Sequence, residues 1–305
     1  MPPAVTLDPE ELARYQELDS RASVLMKRGI GLMTAVGGNV SEALSCFDQA
    51  LVLREQLPAT DVPQFAYSLA ACWMNRGEAL TRLGGGGRWG AAVQSYDEAI
   101  ALLRRLPLDA DDRYRRRLAI ALQNRGLTLF AHVPGTAADA VQAFSDALAV
   151  LDADAAAAIE DRDYMRAAML LNLANAQRTI DAEDAPAQAR LAIARALGLM
   201  TPHEADDERA AEVGLKARHL LCQLLAERLS QAAPSAGMDD VHAATDAVDS
   251  GLDLVRDWER KGVMRFREIA ADLFRFGAMV YQRYQPQFLD EFVSERARDF
   301  PPSET

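Results

Sequence analysis

The sequence predicts an all-α, right-handed solenoid of about six helix-turn-helix repeats, and three observations lead there. A small residue recurs along the chain, with Gly29, Gly77, Gly126, Ala174, Cys222 and Ala270 standing at intervals of 48 or 49. Self-similarity at a fixed period of this size marks a repeat architecture. The composition is rich in alanine and only 7% aromatic, which suits helices, because small side chains let them approach and alanine has the best helix propensity. Finally, no segment shows the alternation of a strand, while clusters of turn residues punctuate the chain.

The repeats are expected at about 9–58, 62–107, 110–151, 161–199, 202–259 and 262–300, within a single domain spanning 1–305. Asp8-Pro9-Glu10-Glu11 opens the first helix with a capping residue, a proline in the first turn and an acidic residue behind it. Gly37-Gly38 ends it, and Asn39-Val40-Ser41-Glu42 starts the second helix. Asp61-Val62-Pro63-Gln64 opens the next pair, whose turn is Gly84 to Gly87, and Asp109 to Asp112 supply carboxylates to the helix amino terminus that follows. Val133-Pro134-Gly135 and Thr136-Ala137-Ala138-Asp139 divide the third pair, Asp152-Ala153-Asp154 serve the next amino terminus, and Asp181 to Asp184 divide the fourth pair. Thr201-Pro202-His203-Glu204 has the form of a capping box and is expected to start a helix; Gln231 to Asp240 is the turn of the fifth pair. Val263 to Tyr284 and, after Pro286, Gln287 to Asp299 are expected to close the stack.

Within each first helix an apolar stripe flanks the small residue. Leu25, Trp73, Leu122, Leu170 and Phe266 stand four residues before it, with Arg218 in that place in the fifth repeat. The second helices repeat as Ala43-x3-Phe47-x2-Ala50, Ala92-x3-Tyr96-x2-Ala99, Ala140-x3-Phe144-x2-Ala147, Ala189-x3-Ile193-x2-Ala196 and Ala244-x3-Val248-x2-Gly251. These small residues mark close helix approach.

Trp73-x2-Arg76-Gly77 followed by Ala92-x3-Tyr96-x2-Ala99 resembles the tetratricopeptide repeat (TPR), whose pattern is Trp-x2-Leu-Gly and then Ala-x3-Phe-x2-Ala. The resemblance covers nearly the whole chain. Its longer period, Leu170-Leu171-Asn172-Leu173-Ala174 and Ala50 to Glu55 are similar to the long-helix repeats of kinesin light chains. The resemblance implies a right-handed stack with a concave inner surface, and a protein that acts by binding other proteins.

Charge and motif content exclude several classes. With 33 basic against 45 acidic residues and a net charge of −12, the surface repels phosphate, so neither nucleic acid nor an anionic membrane is an expected partner. No run of 18 apolar residues occurs, and Met1 to Asp8 lack the basic start and apolar run of a secretory signal, so a cytoplasmic protein is expected. Cys46, Cys72 and Cys222 lie far apart, and His132, His203, His219 and His242 are scattered; neither set has metal-ligand or catalytic spacing. Gly84-Gly85-Gly86-Gly87 follows no strand and lacks the Gly-Lys-Ser/Thr of a phosphate loop. The expectation is therefore no enzyme, no cofactor and no metal. The basic run Arg113-Tyr114-Arg115-Arg116-Arg117 follows Asp109, Asp111 and Asp112 at four-residue distance, and is read as a face neutralised by intrahelical pairs.

The candidate site rests on asparagine. The chain has only Asn39, Asn75, Asn124, Asn172 and Asn175, and Asn75, Asn124 and Asn172 share one repeat position, two residues before the small residue. Asparagine is a mediocre helix former, so holding it in mid-helix in three successive repeats has a cost unless the amide is used. An amide both donates and accepts, which suits it to an extended peptide backbone. The resemblance to long-helix repeats implies that Asn75, Asn124 and Asn172, with Asn175 one turn on, line a groove and hold ligand main chain. The other reading is that these amides bridge neighbouring helices. A second series, Arg28, Arg76 and Arg125, stands just before the small residue, where the family generally has leucine, and Lys27 takes the asparagine position in the first repeat. These residues either form a basic wall for acidic side chains of a protein or peptide ligand, or pair internally with acids such as Glu78 and Asp97. The expected function is a protein-interaction adaptor that binds an extended segment. The alternative is a structural or regulatory subunit, or the sensor half of a signalling system, self-associating as a homodimer through Phe288, Leu289, Phe292 and Val293 of the carboxy-terminal helices.

Overall fold

The computed structural model describes residues 8–153, 156, 158–231 and 237–296. Residues 1–7, Asp154, residues 232–236 of the fifth turn and the end of the last repeat after Arg296 lie outside the described residues. Among those described, the chain forms twelve α-helices and no strand, an all-α solenoid of TPR-like helix pairs. Contacts divide it into two compact units, Met1–Arg162 and Asp163–Thr305.

The first unit contains α1 (Pro9–Thr34), α2 (Val40–Arg54), α3 (Pro63–Leu83), α4 (Arg88–Leu103), α5 (Asp112–His132) and α6 (Ala137–Asp152). Each helix packs on the next, and α3 also touches α1 and α5. Several starts follow the sequence signals. Asp8 Oδ1 accepts from the Glu10 N–H at 3.1 Å, Asn39 Oδ1 from the Glu42 N–H at 3.1 Å, and Asp111 Oδ1 from the Arg113 N–H at 2.8 Å. Thr136 instead turns its hydroxyl back onto the Leu129 and Val133 carbonyls. Between α3 and α4, Gly84 to Gly87 all have positive φ, from +52° to +77°, a backbone that only glycine adopts freely four times in succession.

The recurring small residues have one local cause. An aromatic ring of the second helix lies flat over the glycine of the first, so a Cβ at Gly29, Gly77 or Gly126 would come within 2.5 Å of Phe47, 2.8 Å of Tyr96 or 2.7 Å of Phe144. All three rings are buried. Where the small residue grows to Ala174 and then to Cys222, the residue at the ring position shrinks to Ile193 and then to Val248, also buried. Volume is conserved across the pair, as close packing requires.

The second unit contains α7 (Arg162–Gln177), α8 (Ala185–Met200), α9 (Glu208–Gln231), α10 (Met238–Arg260), α11 (Arg267–Tyr284) and α12 (Leu289–Arg296). Thr201-Pro202-His203-Glu204 does not start a helix. Thr201–His203 is a single 3-10 turn, and α9 begins at Glu208, where Asp207 Oδ1 accepts from the Arg209 N–H at 2.8 Å. The reason is Glu204. Its carboxylate is buried and takes two bonds from the Arg218 guanidinium, at 2.7 and 3.0 Å, while its carbonyl accepts from Trp258 Nε1 at 2.9 Å. The arginine that interrupts the apolar stripe and the glutamate of the false capping box are thus partners. At the carboxy end, Phe292 is buried against Tyr281 and Phe274 and lies over Gly277, so α12 covers the end of this unit's core.

The three cysteines are buried and unpaired, and burial pushes the Cys222 thiol up to about 12. None is poised as a nucleophile.

Candidate functional site

In both units an open cleft lies between two successive first helices, and the helical-position asparagines are on its walls. In the first unit, α3 and α5 enclose a cleft of about 250 Å³ lined by Ala71, Met74, Asn75, Glu78, Arg117, Ile120 and Asn124. In the second, α7 and α9 enclose about 310 Å³, with Asn172 and Asn175 facing Lys216, His219 and Gln223. The two asparagines of each cleft meet for different reasons. Asn75 and Asn124 occupy the same repeat position on neighbouring first helices, whereas Asn172 and Asn175 are three residues apart on one helix face.

All four asparagines are half-buried. Asn75 Nδ2 donates to the Ala71 carbonyl of its own helix at 2.9 Å. Asn124, Asn172 and Asn175 make no side-chain hydrogen bond to any described residue. The bond that does link α3 to α5 beside the cleft joins two hydroxyls, Thr81 and Thr128, at 3.1 Å.

The arginine series is engaged within the fold. Arg76 Nε meets Asp48 at 2.7 Å and its Nη1 donates to Ser95 at 2.8 Å; Arg125 Nε meets Asp97 at 2.6 Å; Arg28 Nη2 meets Glu42 at 2.5 Å. Arg125 thus has the partner named from sequence. Arg76 does not: Glu78 pairs with Arg82, one turn along its own helix, at 2.6 Å. Arg76 and Arg125 each reach the second helix of the preceding repeat and tie repeat to repeat, whereas Arg28 joins the two helices of its own repeat. Such half-exposed pairs contribute about 0–1 kcal/mol each. Lys27 is exposed and forms no pair.

The basic run at the start of α5 pairs differently from helical spacing. Arg113 is held by Asp111 at 2.6 Å and Arg115 by Asp109. Both aspartates precede the helix, where four-residue spacing no longer places side chains on one face. Arg117 closes the run expected to be neutralised, yet the residue four before it is Arg113, a base and not an acid. Among the described residues the Arg117 guanidinium has no carboxylate partner. It lies 4.0 Å over the Tyr67 ring, and burial holds its pKa below the ordinary guanidinium value.

Trp89 stacks on His132 at 5.1 Å, and Trp258 is buried, so both serve packing. Phe288 and Val293 are exposed, whereas Phe292 is buried within its own unit. Among the described residues no cluster of His, Cys, Asp or Glu could hold a metal ion, and no helix is long and apolar enough to cross a membrane.

Helix pairs, rings seated on small residues and clefts between first helices define a TPR-like helical-repeat fold. No family model and no curated relative matches the chain. Among solved structures, the crystal structure of BtubC (BKLC) from P. vanneervenii is similar, with a TM-score of 0.56 at 15% identity, over 85% of this chain and 90% of that one. At that identity the likeness shows the shared fold.

Proposed function

We propose that the protein is a non-enzymatic adaptor that holds an extended segment of a partner protein against its first helices. One observation carries the reading: three helix-borne carboxamides, Asn124, Asn172 and Asn175, stand in open clefts and make no side-chain hydrogen bond to any described residue. A half-buried amide without a partner in the protein is well matched to a peptide backbone, which offers a donor and an acceptor at each residue. Each such bond gives only about 0.5–1.5 kcal/mol net, so binding draws on several of them and micromolar affinity is expected. The arginine series holds helices together in this reading and contributes little to the ligand.

The test is Asn124→Ala. Peptide binding is expected to fall about three- to tenfold, the loss of one hydrogen bond, with thermal unfolding essentially unchanged. A clear drop in melting temperature would instead show an amide that bridges helices.

A second reading, homodimerisation through the carboxy-terminal helices, draws on the exposure of Phe288 and Val293. Static light scattering over a hundredfold concentration range separates the two. The adaptor reading expects the 33.3 kDa monomer throughout, and a dimer mass abolished by Phe288→Ser would favour the second.

A further inference from the structure

We infer that the α3–α5 cleft recognises a carboxylate side chain of the bound segment through Arg117; this rests on the adaptor reading above. Among the described residues, the guanidinium groups of Arg28, Arg54, Arg76, Arg82, Arg113, Arg115 and Arg125 are all taken up by carboxylates of the first unit. Arg117 is half-buried and has none. A partly desolvated cation without an anion carries a cost, which stacking on Tyr67 offsets in part. The Arg117 N–H groups make no hydrogen bond to any described residue and remain open to the cleft. Asn75 and Asn124 line the same cleft.

Burial lowers the Arg117 pKa, with Tyr67 opposing and Arg54 and Arg113, each itself paired with an aspartate, lowering it further. The acid that lines the cleft, Glu78, is already bonded to Arg82. A planar guanidinium grips a carboxylate through two parallel hydrogen bonds, so an aspartate or glutamate of the ligand would supply the missing acceptor. The amides would hold the flanking main chain. The overall net charge of −12 makes the prediction pointed, because long-range electrostatics alone would turn acidic peptides away.

The experiment uses two pooled libraries of fluorescein-labelled dodecapeptides, identical except that every Asp and Glu of one is Asn or Gln in the other, applied to the full-length protein. The wild type is expected to retain the acidic library about tenfold better, as one charge-assisted bidentate contact gives. Arg117→Gln is expected to reduce that ratio to about one while leaving retention of the amide library unchanged. Arg117→Met, which keeps the stem over Tyr67, repeats the test in a second folded background, checked by circular dichroism. Asn124→Ala is expected to weaken both libraries by the same factor. A wild-type ratio near or below one, or a ratio that survives both Arg117 variants, overturns the carboxylate assignment while leaving the adaptor reading intact. If the wild type retains neither library, the adaptor reading fails and the assignment falls with it.

Discussion

Gly126→Leu is expected to destabilise the protein by about 3 kcal/mol, the upper range for overpacking a closed interior. Helix propensity argues the opposite way, since replacing glycine in mid-helix by a better helix former gains about 1 kcal/mol. The geometry decides the sign. Even the first added carbon would come within 2.7 Å of the Phe144 ring, itself fully buried between helices and without room to withdraw. Gly126→Ala is the diagnostic variant, with an expected net loss of about 1–2 kcal/mol once the propensity gain is subtracted. The chain suggests its own remedy, for at the same two positions of the next repeat it has Ala174 and Ile193. Combining Gly126→Ala with Phe144→Ile is therefore expected to cost clearly less than the sum of the two changes. Urea denaturation of both single variants and the double gives the coupling directly. Stabilisation by Gly126→Ala, or strict additivity, would contradict the ring-on-glycine account.

Glu204→Gln is expected to cost the second unit about 3–5 kcal/mol, the range for breaking a buried ion pair by removing one partner. The carboxylate and the guanidinium of Arg218 are both less than a tenth exposed, and Arg218 Nε donates to Ser250 on α10 at 2.9 Å. Removing the charge at Glu204 strands a buried cation whose stem lies over Gly251, where Leu215 and Leu273 also pack. Replacing both members, as Glu204→Gln with Arg218→Met, is expected to recover most of the loss, because a buried pair contributes little beyond an apolar pair of similar size. Thermal unfolding of the three variants tests this, and equal melting temperatures for Glu204→Gln and the wild type would remove the pair from any structural role. Gly214 belongs to the same node: a Cβ there would fall 1.7 Å from Glu204 Oε1, which accounts for glycine within α9 at a net cost in propensity.

How much of this was legible depended on whether an interaction is periodic. The repeat of small residues gave the helix pairs, since the first three solve one packing problem with a glycine under an aromatic ring. The asparagines were legible for a related reason: a polar residue repeated at one helical position stands out against a chain with five asparagines in all. Interactions unique to one place were not. Arg218 shows in the sequence only as a gap in an apolar stripe, and Glu204 only as part of a capping box; nothing local connects residues fourteen apart across a turn. Arg117 was hidden by its surroundings, since a run of acids before a run of bases looks neutral until the helix is seen to begin at Asp112, leaving Asp109 and Asp111 off its regular spacing.

The sequence by itself determined the helices, their pairing and the rows on which the asparagines stand, because those follow from spacing along a helix of fixed pitch. Tertiary structure alone decided which charges are spent and which remain. Arg76 and Arg125 are satisfied by acids of the preceding repeat, while Arg117, with the same side chain, has an aromatic face in place of an anion. Coulombic pairing depends on distance through space, and among the described residues the carboxylate that neutralises an arginine is more often on another helix than on its own.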